Sequence, residues 1–143
     1  MSTKSINEIQ NAIIEDFELF DNWIEKYEYL IDYGKSLPLI DEKYKVDEAL
    51  VEGCQSKVWL HAEIDGDKVL FKADSDAVIT KALVGLMISV LSNHTPKEIL
   101  DSELYFIDRV GLKEHLSVNR SNGLTSMVKR MKMFARAINT KTT

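Results

Sequence analysis

The sequence predicts a fold in which several helices pack against a small antiparallel sheet of about three strands. Two strand-like runs, at residues 56–64 and 68–72, flank an Asp-Gly dipeptide at residues 65–66 that favours a tight hairpin. The apolar triplet at residues 49–51 is the third candidate strand. Residues 77–90 are apolar almost throughout, so we expect a central helix that is buried on most sides against the sheet.

The other helices are predicted from capping signals and from apolar side chains at helical spacing. Ser5 and Glu8 form a capping box for the first helix, and Asp21 is the expected cap of the second, which Gly34 and Pro38 should end. Later helices are expected to start at the Asp74-Ser75-Asp76 run, at Thr95, near Leu104 (ending at Gly111) and near Asn122, with a polar loop over residues 117–123.

Length and composition restrict the classes of protein to which the chain can belong. With 143 residues it is expected to form one domain, residues 1–143. The net charge of −5 argues against bulk affinity for nucleic acid. The N-terminus has no apolar signal core and no apolar run is long enough to span a membrane, so no membrane association is expected. The single cysteine excludes an intrachain disulfide and favours a reducing, cytoplasmic location.

Charge is distributed unevenly along the chain. Residues 1–108 carry 10 Lys and Arg against 22 Asp and Glu, whereas residues 109–143 carry 8 against 1. Two interpretations remain open: acidic and basic faces of one domain, or complementary docking onto a partner. The last helix, which is basic and amphipathic, is expected to dock on the core, and contact with a partner or a membrane is the alternative. The charged run at residues 41–43 is typical of a solvated loop.

Cys54 is the residue with the most distinctive surroundings. It follows Gly53 and precedes Gln55 and Ser56, so it is expected on a loop that enters the strand beginning near Val58. A buried structural thiol is the alternative. An exposed thiolate can attack a sulfur atom in line with the bond that breaks. One cysteine does not suffice for a dithiol redox enzyme or for a self-contained iron–sulfur scaffold, which needs about four ligands.

A cysteine hydrolase is the enzymatic alternative, and it would pair Cys54 with His61, His94 or His115. His61 lies in the predicted strand, His94 is expected to end the central helix, and His115 lies in an irregular segment. No nucleophile elbow, zinc-ligand spacing or Gly-rich phosphate loop is present in the sequence. We therefore expect the chain to hold no metal and no cofactor of its own.

The run Gly53-Cys54-Gln55-Ser56-x-Val58-Trp59 resembles the signature of the SufE family, whose members accept persulfide sulfur during iron–sulfur cluster assembly. Four further blocks resemble the family in the same order: residues 23–38, 74–81, 95–99 and 115–124. The resemblance implies an α+β fold of the iron–sulfur scaffold type, with an acceptor cysteine at the tip of a loop.

The resemblance also implies a function. Cys54 would take persulfide sulfur from a SufS-like cysteine desulfurase, stimulate that enzyme, and pass the sulfur on for cluster assembly, with an iron–sulfur scaffold complex as a further partner. Pyridoxal phosphate would belong to the desulfurase, and the chain alone would have little turnover. The alternative is a non-catalytic adaptor that activates its partner by docking.

Five residues are expected to support the thiol loop. Arg120 would lower the thiolate pKa or cap loop carbonyls, and Asp76 would fix the loop or, as we favour, cap the helix. Gly53, Gln55 and Ser56 would shape the turn or hydrogen-bond the loop or the partner.

Overall fold

The computed structural model describes residues 4–51, 56–116 and 118–142, without the side chains of Lys113, residues 118–120 and residues 140–142. In chain order the elements are α1 (Ile6–Glu18), α2 (Trp23–Lys35), two 3-10 turns (Glu42–Tyr44 and Asp47–Ala49), β1 (Val58–Asp65), β2 (Lys68–Ser75), α3 (Val78–Leu91), α4 (Pro96–Asp101), α5 (Phe106–Arg109), α6 (Leu112–His115) and α7 (Val118–Thr142).

The sheet in the described part of the chain is an antiparallel hairpin of two strands. β1 and β2 pair in register from Val58 opposite Ser75 to Asp65 opposite Lys68. Gly66 turns the chain with a φ of 65°, as the hairpin dipeptide predicts. The expectation of about three strands is wrong by one. The 3-10 turn includes Ala49, the first residue of the third candidate strand. Only a short stretch therefore lies beside β1, where Leu50 forms an isolated bridge with Trp59.

The central helix α3 lies between the hairpin and α2, and the prediction that it is buried on most sides is confirmed. Ten of its residues are buried. α2 crosses it backbone to backbone: a Cβ added at Gly85 would lie 2.5 Å from the Tyr33 carbonyl oxygen, and one added at Gly34 would lie 3.0 Å from the Ala82 nitrogen. The core therefore includes a helix contact at which no side chain fits.

The predicted capping box of α1 and the predicted start of α4 at Thr95 are confirmed, and α4 also begins with a capping box. Ser5 Oγ accepts from the Glu8 N–H at 3.1 Å and Thr95 Oγ1 accepts from the Glu98 N–H at 3.2 Å, with the two glutamates bonding back to the cap amides. Pro96 occupies the first turn of α4. These starts are local in sequence, so the local pattern suffices to predict them.

Two features of α2 differ from expectation. Asn22, not Asp21, caps the helix, because Asn22 Oδ1 accepts the Glu25 N–H at 3.0 Å. Gly34 lies inside the helix, which continues to Lys35, and its missing side chain lets α2 approach α3 closely, since a Cβ there would lie 3.0 Å from the Ala82 nitrogen.

The start of α7 also differs from expectation. The helix begins at Val118 rather than near Asn122, so residues 118–123 of the expected loop are helical. Among the described side chains of this segment, Asn122 is exposed to solvent. Further along, buried side chains dock α7 on α3 and α4, as expected of a C-terminal helix that completes the core: Leu124, Met127, Met131 and Ala135.

Candidate functional site

Cys54, Gly53 and Gln55 lie outside the described residues, but both flanks of their segment are described. The Val51 N–H donates to the Val58 carbonyl at 2.9 Å, next to the bridge between Leu50 and Trp59. Val51 and Val58 are both buried. The connection between Val51 and Lys57, which carries Cys54, therefore starts and ends at neighbouring points on the edge of the hairpin.

The C-terminal flank of this connection is held by the turn that follows β2. The Lys57 N–H donates to Asp76 Oδ1 at 3.1 Å, and the Asp76 N–H donates to the Lys57 carbonyl at 3.3 Å. Ser75 Oγ donates to the same carbonyl at 2.8 Å. Ser56, one residue nearer to Cys54, is partly buried.

These contacts correct the interpretation of residues 74–76 as a helix cap. The N-cap of α3 is Ala77, and no side chain caps it. The Asp76 carboxylate instead accepts the Lys57 N–H and so holds the segment that follows Cys54. This was the less favoured of the two predicted roles of Asp76. Ser75 Oγ supports the turn itself by accepting from the Ala77 N–H at 3.3 Å. The role of Asp76 in sulfur chemistry stays a prediction.

Asp74 joins this turn to two lysines. Lys45 Nζ lies 2.7 Å from Asp74 Oδ2, Lys81 Nζ lies 3.3 Å from Asp74 Oδ1, and Asp74 Oδ1 also accepts the Ser75 N–H at 2.8 Å. Partial burial alone would raise the pKa of Asp74, but the hydrogen bonds from Lys45, Ser75 and Lys81 outweigh burial and lower it. The hydrogen bond to Asp74 is the main reason that the pKa of Lys45 is raised.

The segment of residues 41–51, which we call the strap, lies over the outer face of the hairpin. Tyr44 stacks on His61, with ring centroids 4.0 Å apart, and Lys45 Nζ lies 5.5 Å from the centroid of the Trp59 ring. From α7, Arg130 Nη2 donates to the Glu48 carbonyl at 2.7 Å. The strap ends at Val51 and so leads directly into the connection that carries Cys54.

Arg120 lies in the first turn of α7, and its side chain is outside the described part of the structure. The segment before α7 is attached to α2: the His115 ring stacks on Trp23 at a centroid distance of 3.8 Å, and Tyr27 Oη donates to the His115 carbonyl at 2.7 Å. The placement of Arg120 beside the thiol therefore stays a prediction.

The other two histidines also have structural contacts. His94 does not end α3, which stops at Leu91, but is buried with its ring nitrogens 3.0 Å and 2.8 Å from the carbonyls of Ser92 and Lys4. His61 lies 3.4 Å from Glu63 in addition to its stack on Tyr44. Local contacts thus account for the three histidines without a catalytic role.

Two further kinds of site are not found among the described residues. No group of three or more His, Cys, Asp and Glu side chains there is arranged to hold a metal ion. No described helix is both long and apolar enough to cross a membrane.

A family model described as SufE, Fe-S metabolism associated domain, matches residues 11–135. The chain belongs to the SufE family. It is 39% identical over 127 residues to an uncharacterized SufE-like protein of Rhizobium meliloti, covering 85% of this chain and 91% of that protein. SufE-like protein 1 of Arabidopsis thaliana, described as chloroplastic/mitochondrial, is 41% identical over 130 residues, covering 88% of this chain and 35% of that protein.

The solution structure of a hypothetical protein from Thermus thermophilus has the same fold as this chain. The TM-score is 0.77 at 23% sequence identity, covering 92% of this chain and 96% of the other. The predicted α+β class is therefore confirmed, and membership of the SufE family is consistent with a role in iron–sulfur metabolism.

Lys45 and Arg130 are the residues around the connection that sequence analysis missed. Both act over long sequence distances, on Asp74 and on the Glu48 carbonyl. No local motif contains either pair, so the contacts emerge only from the folded chain.

Proposed function

We propose that this SufE-family chain accepts persulfide sulfur on Cys54 from a pyridoxal-phosphate cysteine desulfurase, stimulates that enzyme, and passes the sulfur on for iron–sulfur cluster assembly. The observation that carries the proposal is the position of the single cysteine. It lies inside the SufE match, on a connection whose C-terminal flank at Lys57 is anchored by hydrogen bonds to Ser75 and Asp76. A reducing compartment such as the cytoplasm suits an acceptor that works as a free thiol.

The proposed step is a thiol–persulfide exchange. The Cys54 thiolate attacks the outer sulfur of the donor Cys–S–SH, a new S–S bond forms on Cys54, and the donor S–S bond breaks. The electron pair of the broken bond leaves with the donor cysteine as its thiolate. The donor is thereby reduced and Cys54 oxidised to the persulfide, so the step needs no metal, external oxidant or second cysteine in this chain.

Two supporting roles belong to the proposal. The contacts of Asp76 and Ser75 with Lys57 keep the base of the connection in place while its cysteine reacts. The guanidinium of Arg120 would stabilise the Cys54 thiolate and the persulfide anion by its charge.

The test is the intact mass of the protein after incubation with a cysteine desulfurase and cysteine. We expect a gain of about one sulfur atom, reversed by a thiol reductant. Cys54→Ser should gain nothing and should fail to stimulate desulfurase turnover, with an unchanged circular dichroism spectrum. A wild-type chain that binds the desulfurase yet gains no sulfur would contradict the proposal. Stimulation by Cys54→Ser equal to that by wild type would instead support a docking adaptor.

A further inference from the structure

Lys45 links the two flanks of the Cys54 connection. It lies on the strap, which leads into the connection through Val51, and its ammonium group contacts Asp74 on the other side at 2.7 Å. Both partners are partly buried, with 20% and 17% of their side-chain surfaces exposed. The contact is therefore shielded from water better than a surface ion pair, whose worth is usually small.

From Asp74 the contacts continue to the base of the connection. Asp74 Oδ1 accepts the Ser75 N–H at 2.8 Å, and Ser75 Oγ donates to the Lys57 carbonyl at 2.8 Å. Lys57 lies three residues after Cys54. A series of polar contacts thus runs from the strap before the connection to the backbone just after it.

We infer that Lys45 is a positioning residue for sulfur transfer: by clamping the strap to the Asp74–Asp76 turn, it fixes both flanks of the connection that presents Cys54. The inference rests on the proposed function. Lys45 does not touch the reacting atoms. It lowers the conformational entropy that is lost when the connection docks on the sulfur donor, because the flanks are already held in place.

Lys81 does not perform this task, although it also pairs with Asp74. Lys81 lies on α3, four residues beyond the N-cap Ala77, so it joins two parts of the structure on the same side of the connection. Lys45 alone of these two lysines joins the strap to the turn. The removal of Lys45 therefore leaves the backbone contacts of Val51 with Val58 and of Leu50 with Trp59 as the described links between the flanks, whereas the removal of Lys81 breaks no contact between them.

The first experiment compares Lys45→Met with Lys43→Met, a matched control from the same strap. Methionine keeps an apolar stem against Trp59, and both variants lose one positive charge. Lys43 contacts only the face of Tyr44 among its described partners, at 5.0 Å. We expect Lys45→Met to raise the concentration that gives half-maximal desulfurase stimulation by about 3- to 10-fold, with a smaller change in the maximal rate. Lys43→Met should match wild type, and Lys45→Arg should restore most of the loss.

The second experiment measures amide hydrogen exchange without any desulfurase. The Lys57 N–H, which donates to Asp76, and the Val51 N–H, which donates to Val58, should exchange about 10-fold faster in Lys45→Met and at the wild-type rate in Lys43→Met. This measurement separates the two proposals. Failure of wild type to gain sulfur overturns the proposed function, whereas unchanged exchange at Lys57 in Lys45→Met overturns the positioning role.

A double-mutant cycle identifies the partner of Lys45. Asp74→Asn should weaken stimulation as Lys45→Met does, and the double variant should be no worse than either single variant. Glu42 provides the control, because it also contacts Lys45, at 3.0 Å, but is 88% exposed and belongs to the strap itself. Glu42→Gln should behave as wild type. Additive losses from Lys45→Met and Asp74→Asn, or equal losses from Lys43→Met and Lys45→Met, would overturn the inference.

Discussion

Substitution of Gly85 by alanine tests the closest helix contact in the fold. The new Cβ would lie 2.5 Å from the Tyr33 carbonyl oxygen, 2.9 Å from the Tyr33 carbonyl carbon and 3.3 Å from the Gly34 nitrogen. Because favourable contacts between carbon atoms begin near ~3.5 Å, α2 and α3 would have to separate by roughly 0.5–1 Å. Overpacking of this kind costs about 1–3 kcal/mol or more, and the better helix propensity of alanine returns about 1 kcal/mol.

Because the overlap is with backbone atoms, the cost lies at the upper end of that range, about 3 kcal/mol, and the net expectation for Gly85→Ala is a loss of about 2 kcal/mol in the free energy of unfolding. Gly34→Ala is the matched comparison from the other helix. Its Cβ would meet Ala82 nitrogen at 3.0 Å, a milder overlap that a small shift relieves, so we expect a loss of less than about 1 kcal/mol.

Urea denaturation followed by circular dichroism measures both variants, with the m-value compared to confirm that only stability has changed. We expect the free energy of unfolding to fall in the order wild type, Gly34→Ala, Gly85→Ala. A Gly85→Ala chain that is as stable as wild type would refute this order, because α2 and α3 would then have space for a methyl group at their crossing.

Two further predictions concern a carboxylate and a helix cap. The pKa of Asp74 is lowered in the folded chain, so its contribution to stability is present above the ordinary aspartate pKa of about 4 and is lost as the pH falls through the lowered folded value. In urea titrations from about pH 7 to pH 2.5, the free energy of unfolding of Asp74→Asn should therefore fall less than that of wild type. Parallel falls in the two proteins would contradict this prediction. Thr95→Ala should lower the free energy of unfolding by about 0.5–2 kcal/mol, because the Glu98 N–H loses its acceptor at the start of α4, whereas Thr95→Ser should stay close to wild type in the same measurement.

The parts of the fold that were predicted correctly depend on local signals. The capping boxes at Ser5 and Thr95 each satisfy amides three residues away, so the sequence itself holds both partners. The Gly66 turn and the apolar run of α3 are local in the same sense. For α3, the lack of a polar face was sufficient to predict burial, because charged residues are absent from most of its surface.

The errors arose where tertiary packing overrode a local signal. Gly34 looks like a helix end in the sequence, but it lies inside α2, where the close crossing with α3 favours a residue without a side chain. The polar residues at the start of α7 look like a loop, but residues 118–123 are helical and lead into later turns whose apolar side chains are buried. Leu50 belongs to an apolar triplet that is typical of a strand, but a 3-10 turn ends immediately before it.

The sequence singles out Cys54, whose role stays a prediction, but it does not predict the contacts that hold the flanks of its connection. Cys54 is conspicuous because it is the single cysteine of the chain and because it follows Gly53. Asp76, in contrast, belongs to an Asp-Ser-Asp run of a kind that commonly caps helices. Its actual partner, the Lys57 N–H, lies 19 residues earlier in the chain. No local pattern distinguishes those two uses of a carboxylate.

The pairing of the hairpin determines which use is realised. Val58 lies opposite Ser75, which brings Lys57 within reach of the turn after β2, and Trp59 lies opposite Asp74, the residue that Lys45 clamps. A slip of one residue in this register would turn Asp74 to the other face of the hairpin, away from Lys45. The register of β1 and β2 is therefore the structural feature on which the anchoring of the Cys54 connection depends, and the Gly66 turn, 12 residues after Cys54, sets that register.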